Sequence, residues 1–243
     1  MKIKVICPIT TKEFENDTKE EIKKFISEDV QIDAERIEYG TASIEGEYDE
    51  ALAAPGILKL AEKAQAEGYD GVFISCMGDP AVEAAREKLD IPVVGPCRAS
   101  MLYAADMTHR FSVVTVVDGV VPLIEKVGRQ VGLSGKLASV KSVDIPVLEL
   151  SDIDKLLKAL LDKSIEAIER DGAQAIILGC TGMIGVDELL SQELEEKGYS
   201  VPVLYPAAVS IRYHESLIKL NISQSKRAYI PPRDKDRNIW SRV

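Results

Sequence analysis

The chain has 243 residues, 46% of them apolar and 29% charged, a balance that fits one large or two smaller globular cores and excludes a disordered or fibrous protein. Its 40 acidic against 30 basic residues leave a net charge of −10, which argues against non-specific nucleic-acid binding and against a role on an anionic membrane surface. The opening MKIKVICPIT turns strand-like at once, and no stretch approaches the ~20 apolar residues of a membrane span, so neither a secretory signal nor a membrane anchor is expected. The compartment expected is the cytoplasm, where Cys7, Cys76, Cys97 and Cys180 stay as thiols. With no CxxC pair and two histidines, a zinc site is not expected.

In chain order, apolar runs rich in Val and Ile and bounded by Gly, Pro or Asp lie at 3–7, 72–75, 92–94, 112–117, 175–178 and 201–204. They predict buried strands of parallel sheets. Helical patterns lie at 18–27, 56–67, 80–88, 98–106, 120–131, 153–170, 186–196 and 207–218. This alternation predicts an α/β protein with helices on both faces of its sheets. Within 42–64, Gly46 and Pro55–Gly56 punctuate a loop and a helix, and Glu45 and Tyr48 read as surface residues. Asp79 and Pro80 predict a helix start, with aspartate as the cap and proline in the first turn. His109 precedes a strand and is expected to be exposed, and His214 sits on a helix in a structural role. Lys226, Arg227, Arg233, Lys235, Arg237 and Arg242 make a basic tail, expected to be exposed or packed on a partner. GxGxxG and GxxxxGK[ST] are both absent, so no nucleotide cofactor is indicated.

The chain contains an internal duplication. AEGYDGVFISCMG (66–78) aligns with ERDGAQAIILGCTG (169–182) at an offset of 104, matching Gly68 to Gly172, Cys76 to Cys180 and Gly78 to Gly182. Each copy then runs through a helix into IPVVGP (91–96) or VPVLYP (201–206). Two similar α/β lobes are expected, since solenoid repeats have far shorter periods. A cysteine that ends a parallel strand lies at the carboxyl edge of its sheet, where open α/β folds bind ligands. The glycine two residues on permits close approach of a ligand, and N–H groups of the following helix favour a thiolate. Buried cysteine is usually a small hydrophobe, and Cys7 and Cys97 keep that reading. The repeated Cys-x-Gly context points Cys76 and Cys180 towards chemistry.

With these motifs on the page, the chain resembles the hydantoin and allantoin racemases of the cofactor-independent aspartate/glutamate racemase superfamily. IEGEYDEALAAPGILKLAEKA, CMGDPAVEAAREKLDIPVVG, RFSVVTVVDGVVP, IPVLEL, DGAQAIILGCTGM and SKRAYIPP follow that family's blocks in order. The resemblance implies two pseudo-symmetric flavodoxin-like lobes, 1–97 plus 208–243 and 98–207, with the active site in the cleft between them. It implies that Cys76 and Cys180 remove and return the proton at a stereogenic carbon beside a carbonyl, without metal, pyridoxal phosphate or nucleotide. Pro8, Ile9 and Thr10 would form the substrate loop, and Ile44, Met77, Gly78, Thr181, Gly182 and Met183 would line the cleft. Four positions depart from the family pattern: Ile9 stands for an asparagine, Met77 for a phenylalanine, Thr181 for an alanine, and GPCRA replaces a GIGEA stretch, bringing Arg98 near the lobe junction.

The function expected is racemisation of a 5-substituted hydantoin or related cyclic ureide such as allantoin, on a small-molecule substrate, in a homo-oligomer with no nucleic-acid or membrane partner. Arg98 and Thr181 keep open a second two-cysteine reaction, racemisation of an acidic amino acid or isomerisation of a small dicarboxylate. A non-catalytic two-lobed binding protein is the reading from another class.

Overall fold

The computed structural model describes residues 1–237, and Arg242 of the basic tail lies outside them, as do the other residues beyond 237. The strands are β1 (Lys2–Cys7), β2 (Gln31–Arg36), β3 (Gly71–Ile74), β4 (Val93–Val94), β5 (Phe111–Thr115), β6 (Leu137–Ser142), β7 (Ile176–Leu178) and β8 (Val203–Leu204). The α-helices are α1 (Glu13–Lys23), α2 (Glu47–Ala66), α3 (Val82–Lys88), α4 (Pro96–Met107), α5 (Val121–Gln130), α6 (Ile153–Asp171), α7 (Asp187–Glu196) and α8 (Pro206–Lys219). They build two all-parallel sheets in the orders β2-β1-β3-β4 and β6-β5-β7-β8, so the duplication read in the sequence is a duplication of topology. Gly68 and Gly172 both take a left-handed φ, +78° and +74°, just past the ends of α2 and α6, which explains why both copies need glycine there.

The edge strands β2 and β6 are absent from the sequence-based reading. Each occupies a sheet margin and carries charge that masks the apolar pattern. Lys4 on β1 and Lys63 on α2 pair with Glu35 of β2. Lys141 of β6 pairs with Asp171 at 2.8 Å and Glu166 at 3.1 Å. Such charged margins also protect a sheet from pairing with other chains.

Alternate residues of the central strands face opposite sides, as a pleated strand requires. Ile6, Val72 and Ile74 pack with Ile37, Ile57 and Leu60 under α2, while Ile3, Val5 and Phe73 belong to a larger core that continues into the second sheet through Phe111, Val113 and Ile177. The fourth helices make that continuity. Following β4 of the first sheet, α4 packs against β5 and β7 of the second; following β8, α8 packs against β3 and β4 of the first, and the two helices pack on each other.

Two local expectations are corrected. First, α2 begins at Glu47 and runs through Pro55 and Gly56, which the sequence reading placed at a loop. Its start is fixed by acidic residues in the first turn and by Asp49, whose carboxylate accepts the Glu45 N–H at 2.9 Å. Gly56 is required because a Cβ there would sit 2.9 Å from Ile37. Second, Asp79 does not cap the helix that follows it. Its carboxylate accepts from the Cys97 N–H at 2.9 Å and the Arg98 N–H at 3.0 Å, which caps α4, and it binds the Arg98 guanidinium at 3.2 Å. No helix among the described residues is long and apolar enough to cross a membrane. The tail turns back on the first lobe, where Gln224 bonds main-chain groups of Leu89, Ile91 and Val93, and Tyr229 bonds Arg86.

Candidate active site

Parallel strands aim their carboxyl ends the same way, so the turns after β1, β3, β5 and β7 open towards the seam between the sheets. One cavity lies there. Cys76, from the turn after β3, and Cys180, from the turn after β7, both line it. Pro8, Ile9, Ile44, Met77, Gly78, Thr181 and Gly182 share its wall. Met183 does not: it is wholly buried in the core beside this turn. Nor does Thr10, whose N–H and hydroxyl both bond the Thr41 carbonyl. His109 is exposed, and His214 is wholly buried with Nε2 at 3.0 Å from the Pro92 carbonyl oxygen.

The sequence reading missed several wall residues. Phe14, Val116, Val120, Leu123 and Val147 give the cavity an apolar character, and Thr18 adds a hydroxyl. Cys7, read as a purely structural residue, also lines it. Its position at the carboxyl end of β1 is the signal that the rule applied to Cys76 would have caught. Arg98 takes no part in the wall. Its side chain is 8% exposed and committed to Asp79, with Glu83 at 3.5 Å.

Both motif thiols are half-buried, and what each exposes faces the apolar cavity. Desolvation therefore disfavours the thiolate. Burial pushes Cys180 up to about 11, against a hydrogen bond from the Gly182 N–H to its sulfur at 3.3 Å. Cys76 is pushed up still further by burial, against the Gly78 N–H, with Cys180, Glu50 and Asp79 adding to the rise. The expected lowering of these thiols is thus corrected: main-chain N–H groups do reach both sulfurs, but loss of water outweighs them. Gly78 and Gly182 both line the cavity, and the Cβ side of each is occupied, at Gly78 by the Glu50 carboxyl and at Gly182 by Phe14, Leu150 and the Cys180 sulfur.

Three contacts hold the turns in place. Thr181 Oγ1 donates to the Ser75 carbonyl at 3.3 Å, Tyr205 OH donates to the Thr181 carbonyl at 2.9 Å, and Thr115 Oγ1 donates to the Gly179 carbonyl at 2.9 Å. Glu45, read as a surface residue, accepts the Val147 N–H across the seam at 2.9 Å, whereas Tyr48 is exposed as expected.

Duplicated parallel α/β lobes that bring matched thiols to one apolar cavity define a two-lobed enzyme fold with its site at the seam. Comparison with known proteins gives the class its identity. The family model described as Asp/Glu/hydantoin racemase matches residues 3–213. A hydantoin racemase of Pseudomonas sp. (strain NS671) is 34% identical over 97% of this chain and 94% of its own length. One from Rhizobium meliloti is 37% identical over 80% of this chain and 79% of its own. The crystal structure of allantoin racemase from Pseudomonas fluorescens superposes with a TM-score of 0.90 at 32% identity, covering 98% of this chain and 100% of that one. The chain belongs to the Asp/Glu/hydantoin racemase family, and it is an isomerase of the racemase type.

Proposed function

We propose that this protein racemises 5-substituted hydantoins with hydrocarbon side chains, using Cys76 and Cys180 as the two proton carriers and no cofactor. The observation that carries the reading is the shared cavity: two thiols from equivalent turns of two lobes, in a wall made mostly of Ile, Phe, Val, Leu and Met side chains. The hydantoin racemases of Pseudomonas and Rhizobium support the substrate class. The apolar wall favours a hydrocarbon substituent over the polar ureido group of allantoin. A free acidic amino acid or dicarboxylate would call for a cation, and among the described residues no Lys or Arg side chain lines the wall. Arg98, which kept that alternative open, is neutralised by Asp79.

In one direction the Cys180 thiolate takes the proton from C5 of the ring. The C–H electron pair passes into the adjacent carbonyl, giving an enolate, and the Cys76 thiol delivers its proton to the opposite face of C5. Cys180 ends as thiol and Cys76 as thiolate, and exchange with water restores the starting pair. The reverse direction exchanges the roles. Positioned acid/base groups contribute typically ~10²–10⁴-fold each. A thiol at about 11 is ionised in roughly one molecule in a thousand at pH 8, a cost of about 4 kcal/mol that substrate binding and alkaline pH must offset.

Polarimetry combined with deuterium uptake from D₂O at C5 tests the reading. Cys76→Ala and Cys180→Ala each abolish racemisation, while either serine variant retains slow exchange from a single enantiomer. Prolonged dialysis against a chelator leaves the rate unchanged. A double variant lacking both thiols that still racemises refutes the scheme.

A further inference from the structure

Glu50 lies behind the cavity wall, on the first turn of α2, yet it is only 8% exposed. Its Oε1 has no hydrogen-bond partner and rests against Gly78, where a Cβ on that residue would have to sit. Gly78 in turn directs its N–H to the Cys76 sulfur. On its other side Oε2 faces the Lys126 ammonium of α5 at 3.8 Å, and that ammonium lies nearer to Glu47, at 3.0 Å. The remaining ionisable groups facing this carboxyl are Asp79 and Cys76 in the turn after β3 and Cys97 at the start of α4. Lys126 is the cation among them, and it is shared.

A buried carboxyl with an empty acceptor is costly where packing alone is wanted. Its location gives it a use. The equivalent glycine of the other turn, Gly182, faces Phe14 and Leu150, so the carboxyl packed on a cysteine turn breaks the symmetry of the two thiols.

We propose that Glu50 is a positioning residue for Cys76: its negative charge, held against Gly78, keeps Cys76 as the thiol and leaves Cys180 as the cysteine that ionises in the resting enzyme. This deepens the two-thiol reading above and rests on it. Burial pushes the Glu50 carboxyl up to about 7, so the charge comes on across the neutral range, just below the pH at which a thiolate is needed. Once Glu50 is ionised, a second negative charge on Cys76 meets it across one glycine, with the Lys126 ammonium, already shared with Glu47, to offset both.

The test is the pH dependence of iodoacetamide alkylation in the full-length protein, read separately on the Cys76 and Cys180 peptides by mass spectrometry. In Glu50→Gln the Cys76 midpoint falls by about one pH unit, giving about tenfold faster modification at pH 8, while the Cys180 midpoint stays within a few tenths. Wholly buried Cys97 reports folding by remaining unmodified, and Glu50→Met supplies a second neutral side chain should the glutamine variant expose Cys97. An unchanged Cys76 midpoint, or equal shifts at both cysteines, overturns the proposal. Alkylation does not depend on turnover, so a protein that shows the shift yet racemises no hydantoin retains this role for Glu50 and loses the substrate reading.

Discussion

The hydroxyl of Thr181 reaches the main-chain carbonyl of Ser75 at 3.3 Å, so the residue after one cavity cysteine is bonded to the residue before the other. The bond crosses the seam and sets the spacing of the two turns. Thr181→Val keeps the shape and removes the donor. A lost hydrogen bond of this kind costs about 0.5–1.5 kcal/mol. If it acts on thiol placement, kcat falls roughly two- to tenfold with KM little changed, measured by polarimetry in both directions.

Desolvation separates the thiols in order of ionisation. Cys180 is pushed up to about 11 and Cys76 further, so Cys180 is alkylated first in the substrate-free protein at pH 9. Cys7 and Cys97, both raised by burial and closed off from solvent, react later, with wholly buried Cys97 the most resistant. Peptide mapping over a time course checks the order, and modification of Cys97 ahead of Cys180 would contradict it.

Asp79→Ala removes the cap of α4 and leaves the Arg98 guanidinium buried beside Glu83 alone, at 3.5 Å. Removing one partner of a buried ion pair typically costs about 3–5 kcal/mol. Urea denaturation is expected to show a loss of that order, with Asp79→Asn falling between the variant and the parent because an acceptor for the α4 N–H groups remains.

Two buried groups give the stability a pH dependence of opposite signs. His214 is held down to about 4 by burial, below its ordinary 6.5, so its contribution is whole above pH 6.5 and is lost as pH falls towards 4. Glu50 is held up to about 7 from 4.5, so its contribution is whole below pH 4.5 and is lost as pH rises through 7. Between 4.5 and 6.5 the two slopes cancel, one proton against one. Glu50→Gln removes one side of this balance. Its stability relative to the parent therefore rises from pH 4.5 to 7, by on the order of 3 kcal/mol at most, in urea titrations at matched ionic strength.

The parts legible in the sequence were those set by local pattern. Central strands such as VFI at 72–74 and IIL at 176–178 are buried on both faces and read as continuous apolar runs. Cys76 and Cys180 stood out because the duplication repeats their whole neighbourhood. The edge strands β2 and β6 did not, since Asp33, Glu35 and Lys141 answer to ion partners from other elements. Asp79 looked like the cap of the next helix because a cap is recognised by its neighbours in sequence, whereas its left-handed φ of +51° turns the side chain to a helix seventeen residues on. Glu50 had no local signal at all; its burial depends on a glycine in another turn and a lysine in the other lobe.

The exchange of α4 and α8 between the sheets makes each half of the chain depend on the other for a roof. A fragment ending near residue 107 would keep β1 to β4 but expose the face that α8 covers, and it would carry α4 with no sheet beneath it. Such a fragment is expected to aggregate, although it contains a full copy of the repeated unit. The same crossing ties the two sheets together at α4 and α8, so the halves that carry Cys76 and Cys180 share one support.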